Sequence, residues 1–524
     1  MKLRTIVKIA ITSSVVLLCS GFALYSFFRL SAAEGQKDFN LYELVPSTTS
    51  AVFVTDDVLE FVAEVDELTC SKNQQYLYVS KLFSYLKQSL YALSEDTPHG
   101  LSRQMNQMLI SFHEPDNERN QVLYCRLGNG DKELVNRFVR KYISSLYPPK
   151  TFVYKGEEII IYPLADGDFL ACYLTSDFMA LSFQKKLIEN VIDAYKSGKS
   201  LADDSTFTGI RAPKKSAAAA TIYTRMQGMM GWTEFDMKMK DDFIYFSGIT
   251  HDADTCFAFI NQLRQQQSVK GFPGEVLPST AFYFSRQGIT DWVSLLSYGN
   301  AQGQSVPART SEVQNRDKEF SRYLMENAGQ DLVACLFQRE DTLQDAAAVL
   351  SLSVADVTEA ERMLRALVNA ASADEGRRNP RITFCYTVNK AYPIYRLPQT
   401  TLFEQLTSFA EPTLDVYAAF YGGRLLLAPD ADALAHYIRQ LDKGEVLNGA
   451  MAYQTGMDHL SDSYHFMLMV DFDHIFQQSE NHVRFVPDFF LRNADFFRHF
   501  TLFVQFACAD GMVYPNIVLK YKSE

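Results

Sequence analysis

The sequence predicts an α+β protein with two tandem duplicated domains, each a mainly antiparallel sheet with packed helices, after one N-terminal transmembrane helix. Three observations lead to this prediction. A long uncharged stretch lies near the N-terminus, one hairpin–helix pattern occurs twice, and 47% hydrophobic with 21% charged residues is a globular composition. The chain of 524 residues is long enough for about two to four domains.

The N-terminal segment predicts a membrane anchor. Residues 9–28 read IAITSSVVLLCSGFALYSFF and carry no charge. As a helix rising about 1.5 Å per residue, they would span about 30 Å, the thickness of a bilayer core. Residues 1–8 are basic, so the positive-inside rule keeps this tip in the cytoplasm. We therefore expect a single-pass signal anchor in the inner (cytoplasmic) membrane, a tether over 29–42 and the C-terminal body in the periplasm.

Two alternatives to an uncleaved anchor stay open. The small residues Ser31, Ala32 and Ala33 form a possible signal-peptidase site, although the apolar stretch is longer than in most cleaved signals. Lipidation at Cys19 is the other alternative, but Leu18 stands where a small residue is needed. All three possibilities place the body of the protein outside the cytoplasm.

The repeated stretch covers residues 169–207 and 415–453, which align without a gap at an offset of 246. Each copy predicts a β-hairpin, an amphipathic helix and a glycine stop, at Gly198 and Gly444. The helix positions that would face the sheet are Leu187, Ile188, Val191, Ile192 and Tyr195 in the first copy, and Ala433, Leu434, Tyr437, Ile438 and Leu441 in the second. The copies share packing and capping features but no polar side chain suited to chemistry.

Two further matches occur in the same order and set the domain boundaries. The run ELVPST at 43–48 matches EVLPST at 275–280, and strand residue Ile222 matches Leu468 at the offset of 246. We therefore predict one α+β repeat domain over 43–265 and a second over 266–524. In the second domain, the polar run over about 299–318 is predicted to be a flexible loop.

Charge and cysteine content limit the possible partners. The net charge of −12 argues against nucleic acid, because an acidic surface repels phosphate backbones. Eight cysteines occur without any CxxC pair, and most lie in apolar segments that are typical of β-strands. We expect these to be free and buried. No motif predicts a cofactor.

The densest group of potential metal ligands lies late in the chain. Asp471, Asp473 and His474 stand close in sequence to His459, His465, His482 and His499. Carboxylates and imidazoles suit a divalent metal, which gives a metal-dependent hydrolase as the alternative function. However, Asp473 could simply cap a helix after the strand that ends near Asp471. A second run, 251–255 (HDADT), is open to the same two interpretations.

One catalytic motif also occurs in isolation. Ser182 and Lys185 have the SxxK spacing of penicillin-binding proteins, and Lys196-Ser197-Gly198 resembles their KSG element. The second element follows too soon, on the same predicted helix, and the repeat has Ala428 in place of Ser182. The sequence therefore favours the interpretation that these two elements begin and end one helix. We assign no catalytic residue.

The start of the first domain carries a family resemblance. Residues 44–48 (LVPST), a strand, Asp56-Asp57 and a helix follow one membrane segment, and the hairpin–helix unit comes later. This layout over about 40–524 resembles a family of Bacteroides-like envelope proteins that is classed as a domain of unknown function. The resemblance implies export and this architecture, and it implies no catalytic residues.

From these features we expect a membrane-anchored envelope protein that acts by binding or scaffolding. Its ligand would be an envelope protein or polymer, bound in a groove between the two domains. The metal-dependent hydrolase around Asp471, Asp473 and His474 stays as the competing hypothesis.

Overall fold

The structure is a computed structural model that describes most of the chain after residue 38. The described ranges are 39–73, 105–114, 117, 119–128, 131–138, 147–164, 167–211, 218–225, 231–250, 258–293, 295–296, 310–339, 346–374, 382–388, 390–407, 413–478 and 486–522. The predicted tip at 1–8, the anchor at 9–28 and the run 251–255 lie outside them. Among the described residues, no helix is long and apolar enough to cross a membrane.

The fold class is α+β, and the prediction of a largely antiparallel sheet with packed helices is confirmed. The strands are β1 (Ala51–Thr55), β2 (Met108–Phe112), β3 (Gln121–Arg126), β4 (Lys150–Tyr154), β5 (Glu157–Pro163), β6 (Phe169–Leu174), β7 (Phe178–Ser182), β8 (Ala220–Thr224), β9 (Thr233–Lys240), β10 (Phe243–Thr250), β11 (Val269–Lys270), β12 (Ala281–Gly288), β13 (Ala328–Gln338), β14 (Ala346–Val354), β15 (Ile382–Tyr386), β16 (Ala391–Arg396), β17 (Tyr417–Tyr421), β18 (Arg424–Ala428), β19 (Ser463–Tyr464), β20 (Phe466–Asp471), β21 (Phe500–Ala509) and β22 (Met512–Tyr521).

The helices lie between and after these strands. They are α1 (Val58–Glu67), α2 (Thr69–Lys72), α3 (Asp131–Phe138), α4 (Lys185–Ser197), α5 (Ser205–Ile210), α6 (Ala258–Arg264), α7 (Ser311–Asn327), α8 (Val357–Asp374), α9 (Leu402–Leu406), α10 (Ala431–Asp442), α11 (Met451–Met457), α12 (Phe472–Phe476), α13 (Asp488–Arg492) and α14 (Ala494–Phe497). Asp57 caps α1 as its type predicts, because its carboxylate accepts a hydrogen bond from the amide of Glu60.

Twenty of the described strands form one sheet, and β11 and β19 form a separate two-stranded sheet. Within the first half of the chain the strand order is β4-β5-β6-β7-β3-β2-β1-β8-β9-β10. The second half has the order β15-β16-β17-β18-β14-β13-β12-β20-β21-β22. Strands β10 and β22 pair with each other, so the two halves meet in the middle of the sheet.

The register of corresponding strands agrees between the halves. Leu123 faces Leu181 in the first half, and Leu350 faces Leu427 in the second. Leu181 and Leu427 are separated by the offset of 246. The isolated bridges agree as well: Pro46 pairs with Ser200, and Pro278 pairs with Val446, again 246 residues after Ser200.

We call the β10–β22 pair the seam, and its register is symmetric. Ser247 faces Asn516 at the centre, while Ile244 faces Leu519 and Thr250 faces Val513. The hairpin turns before β10 and β22 also correspond, because Asp241 and Asp510 both have positive φ values of 49° and 52°. Equivalent strands of the two halves therefore meet edge to edge.

Helices cover both faces of the sheet. One face carries a continuous apolar core that extends across both halves and packs against α1, α7, α8, α9 and α12. The opposite face carries two separate cores, one beneath α4 and one beneath α10. The predicted helix stripes are buried there, except that Tyr195 and Leu441 are only partly covered. Gly198 and Gly444 have φ values of 62° and 75°, which confirms both glycine stops.

The prediction of a flexible loop over 299–318 is wrong for its second part, because α7 begins at Ser311. The helix is polar on most of its surface but buries Val313, Phe320 and Leu324. Its buried carboxylate, Asp317, accepts hydrogen bonds from the hydroxyls of Thr400 and Thr401 at 2.7 Å each. This anchor comes from residues distant in sequence, so local composition did not predict it.

Candidate functional site

The predicted metal ligand Asp471 lies at the end of β20 and caps α12. Its Oδ1 accepts hydrogen bonds from the amides of Asp473 (3.0 Å) and His474 (3.4 Å). The Lys522 ammonium lies 2.7 Å from the same oxygen. Burial alone would raise the pKa of Asp471, but His474 and Lys522 hold this pKa below its usual value. The carboxylate is therefore satisfied by a helix terminus and a cation.

The other two residues of the predicted group make separate contacts near Asp471. Asp473 Oδ1 accepts a hydrogen bond from Gln477 one helical turn later, at 3.2 Å. His474 Nδ1 lies 3.4 Å from Asp471 Oδ2, which is ion-pair distance without good hydrogen-bond alignment. The Asp471 carboxylate raises the pKa of His474.

The nearby histidines scatter over the fold. The backbone amide of Cys508 donates to His465 Nδ1 at 3.1 Å, and His459 packs against the rings of Phe243 and Tyr245. His482 lies outside the described residues. Across the part of the chain that the structure describes, no group of three or more His, Cys, Asp or Glu side chains is placed to hold a metal ion.

The SxxK residues are structural. Ser182 is fully buried, and its hydroxyl donates to the carbonyl of Gln121 at 2.7 Å and accepts from the amide of Gln184 at 3.0 Å. The Lys185 ammonium pairs with Glu189 at 2.5 Å on the surface of α4. Lys196 pairs with Glu157, and Gly198 ends the helix. The serine and lysine serve separate contacts, so they form no nucleophile–base pair.

A buried polar network that the sequence analysis missed lies in the second half, on the sheet face that α10 covers. The Asp331 carboxylate accepts hydrogen bonds from Arg286 Nε at 3.1 Å and from Arg424 Nη1 at 3.3 Å. Desolvation of the Asp331 carboxyl opposes ionisation, but Arg424 and Arg286 lower its pKa below the ordinary value. Sequence alternation offered a signal, because Asp331 shares a strand face with Val333 and Cys335, and both are buried.

The network attaches the segment that follows β11, at Gly271, to the large sheet. Arg286 Nη1 donates to the carbonyl of Gly271 at 2.8 Å, and the Tyr464 hydroxyl donates to the same carbonyl at 2.9 Å. Arg424 Nε donates to the hydroxyl of Ser351 at 2.6 Å. The two arginines donate to the Asp331 carboxylate, the Gly271 carbonyl and the Ser351 hydroxyl, so the network has a structural role.

A second polar cluster lies in the first half. The Ser111 hydroxyl is 2.9 Å from His113 Nε2 and 3.0 Å from the hydroxyl of Tyr124. Ser111 and Tyr124 are fully buried. Burial lowers the pKa of His113 to about 4, so the ring is neutral at pH 7. A serine next to a neutral imidazole resembles a catalytic pair, but a fully buried hydroxyl is out of a substrate's reach.

The cysteines behave as expected. Six of them lie in the described residues and are free; Cys508 is partly exposed and the other five are buried. Burial raises the pKa of the Cys335 and Cys172 thiols, which disfavours the reactive thiolate.

Large apolar side chains are exposed at both ends of the sheet. On β4, Val153 is 72% exposed. On β15, at the opposite end, Phe384 and Tyr386 are 54% and 71% exposed. Contiguous exposed apolar side chains are typical of interaction surfaces.

Comparison with known proteins adds no relative, since no protein-family model, no curated protein and no solved structure matches the chain.

Replacing Asp471 with alanine should lower the free energy of unfolding by about 1–2 kcal/mol, because a helix cap is lost and Lys522 loses its partner. Urea unfolding measures this change. Added Mg²⁺, Mn²⁺ or Zn²⁺ should leave the melting temperature of the unmodified protein unchanged. Asp495→Ala is the control, because the Asp495 side chain is fully exposed. A metal-induced rise in melting temperature that Asp471→Ala abolishes would restore the metal-site hypothesis.

The pKa of His113 predicts acid sensitivity. The unfolded chain takes up this proton near pH 6.5 and the folded chain only near pH 4, so stability falls as the pH drops through this window. The full loss is roughly 3 kcal/mol. His113→Gln should lose less stability between pH 7 and pH 4.5 in urea titrations, whereas His436→Gln at the surface should match the unmodified protein. Equal pH slopes for His113→Gln and the unmodified protein would refute this assignment.

Proposed function

We propose that this chain is an exported envelope protein, anchored in the cytoplasmic membrane by residues 9–28, that acts by binding. The observation that carries the binding proposal is the exposure of large apolar side chains on β4 and β15, the two outermost strands. Soluble surfaces rarely display contiguous apolar side chains unless they contact another molecule. Outer strands also offer unpaired backbone groups to an incoming strand.

The anchor proposal rests on the sequence. Residues 9–28 are long and apolar enough for a bilayer core, and the basic residues precede them. The described part of the fold begins at Phe39, only a short tether after this stretch. Export is also what the resemblance to Bacteroides-like envelope proteins implies.

We infer that residues 43–265 and 266–524 arose by duplication of one α+β domain. This inference is supported by the matching strand order, the matching bridges at Pro46 and Pro278, and the symmetric register of the seam. Within the described residues, the polar network around Asp331 occurs in the second half only, so the halves have diverged in their buried polar groups. Val54 and Phe178 stand at the first-half positions that correspond to Arg286 and Arg424.

The ligand that we propose is an envelope protein or polymer. The net charge of −12 disfavours nucleic acid. The metal-dependent hydrolase is not proposed further, because Asp471 caps α12 and pairs with Lys522 while Asp473 bonds within its own helix.

Membrane fractionation tests the anchor. The full-length chain with a C-terminal tag should stay in the membrane pellet at alkaline pH, and protease added to spheroplasts should remove the tag. Replacing both Val15 and Leu17 with arginine should release the protein from the pellet, because charges at the bilayer centre cost several kcal/mol in total. Gln36→Arg in the tether is the control. Release of the unmodified protein as a shortened soluble form would instead show cleavage.

Crosslinking in membranes tests the binding proposal. The unmodified chain should give one reproducible crosslinked species that contains a partner other than a second copy of this chain, and Val153→Lys or Phe384→Lys should reduce its yield at least several-fold, because either lysine places a charge on an outer strand. Lys318→Ala on α7 should leave the yield unchanged, because this exposed side chain lies on a helix and on neither outer strand. The proposal fails if no specific species forms, or if both variants crosslink like the unmodified chain.

A further inference from the structure

Strand β15 displays an apolar stripe. Phe384 and Tyr386 alternate along the strand, so they project from the same face, and their ring centroids are 6.3 Å apart. Val388, in the turn between β15 and β16, is 96% exposed. No charged residue occurs between Ile382 and Tyr386.

The backbone of β15 is also available on one side. Among strand pairings of the described residues, β15 pairs with β16 alone. Native proteins usually protect such an edge with a charge, a proline or a bulge, because it can recruit another strand. The range Ile382–Tyr386 contains none of these devices.

The seam provides a precedent for covering such an edge. There, two equivalent edge strands of the fold pair antiparallel in a register that is symmetric about Ser247 and Asn516. A second copy could extend the sheet at β15 in the same way. In a pair centred on Phe384, Ile382 would face Tyr386 of the other copy, which places apolar side chains opposite each other without like charges.

We propose that β15 is a homodimer interface, in which β15 of two copies pairs antiparallel about a two-fold axis through Phe384. Such an interface is self-complementary and closes after two copies. This inference goes beyond the proposed function, because it requires neither the membrane anchor nor the envelope ligand.

Strand β4 is the equivalent outer strand, but it is less suited to this pairing. Lys150 lies within the strand, and the ammonium of Lys185 lies 5.3 Å from the ring centroid of Phe152. A lysine on an edge strand opposes strand addition. Substitutions on β4 therefore provide the matched control.

The test uses the full-length chain in detergent micelles, with the protein mass measured by light scattering after size-exclusion chromatography. The unmodified chain should have the mass of a dimer at high concentration. Phe384→Lys should have the mass of a monomer under the same conditions, while Val153→Lys on β4 should stay dimeric. Both side chains are exposed, and equal melting temperatures confirm folding.

Three outcomes overturn the proposal. A monomeric unmodified chain shows that no dimer forms, and a dimer lost only in Val153→Lys assigns the interface to β4. If the dimer persists in both variants, the dimer interface lies elsewhere, such as in the N-terminal segment. None of these results changes the fractionation result that tests the anchor.

Disulfide trapping checks the register. Because paired residues in an antiparallel ladder lie about 4.5–5.5 Å apart between Cα atoms, Phe384→Cys should form an intermolecular disulfide under mild oxidation. Val153→Cys, which exposes a thiol at the opposite end of the sheet, should give at least tenfold less. Equal yields from the two variants would show random collision and would overturn the symmetric pairing.

Discussion

The seam between β10 and β22 is the constraint on which the architecture depends. Only this strand pair joins the two halves into one sheet among the pairings of the described residues. Its backbone hydrogen bonds continue the ladder from one half to the other, and Ile244 and Leu519 add apolar contacts to the core on one face. The core continues across the seam, so neither half completes its packing alone.

Much of the fold could be predicted from local patterns. The hairpin–helix units, both glycine stops and the cap at Asp57 follow from the periodicity and backbone preferences of a few residues. Strand β9 was not predicted, although Glu234, Asp236 and Lys238 alternate with apolar residues, as in a strand with one buried face. Its partners β8 and β10 supply the ladder that makes this alternation a strand.

The candidate site shows a related limit. The sequence placed Asp471, Asp473 and His474 close together and left a cap and a metal site as alternatives. The geometry around Asp471 is that of a cap, because two amides and one ammonium donate to its Oδ1. Conversely, Asp331, Arg286 and Arg424 belong to three different strands, and only the register of the sheet brings them together. Charged residues that meet across strands cannot be recognised from spacing along the chain.

The position of β22 has a consequence for folding. All of β10 has been synthesised once Thr250 is in place. Its partner strand, β22, ends only at Tyr521, near the end of the chain. Until then, the first half has an unpaired strand with Phe243, Tyr245 and Phe246 along it. An emerging chain is thus exposed to mispairing for about half of its synthesis, since long-range strand pairs form late and open edges aggregate. A holding chaperone would therefore be needed most while the second half is still being made.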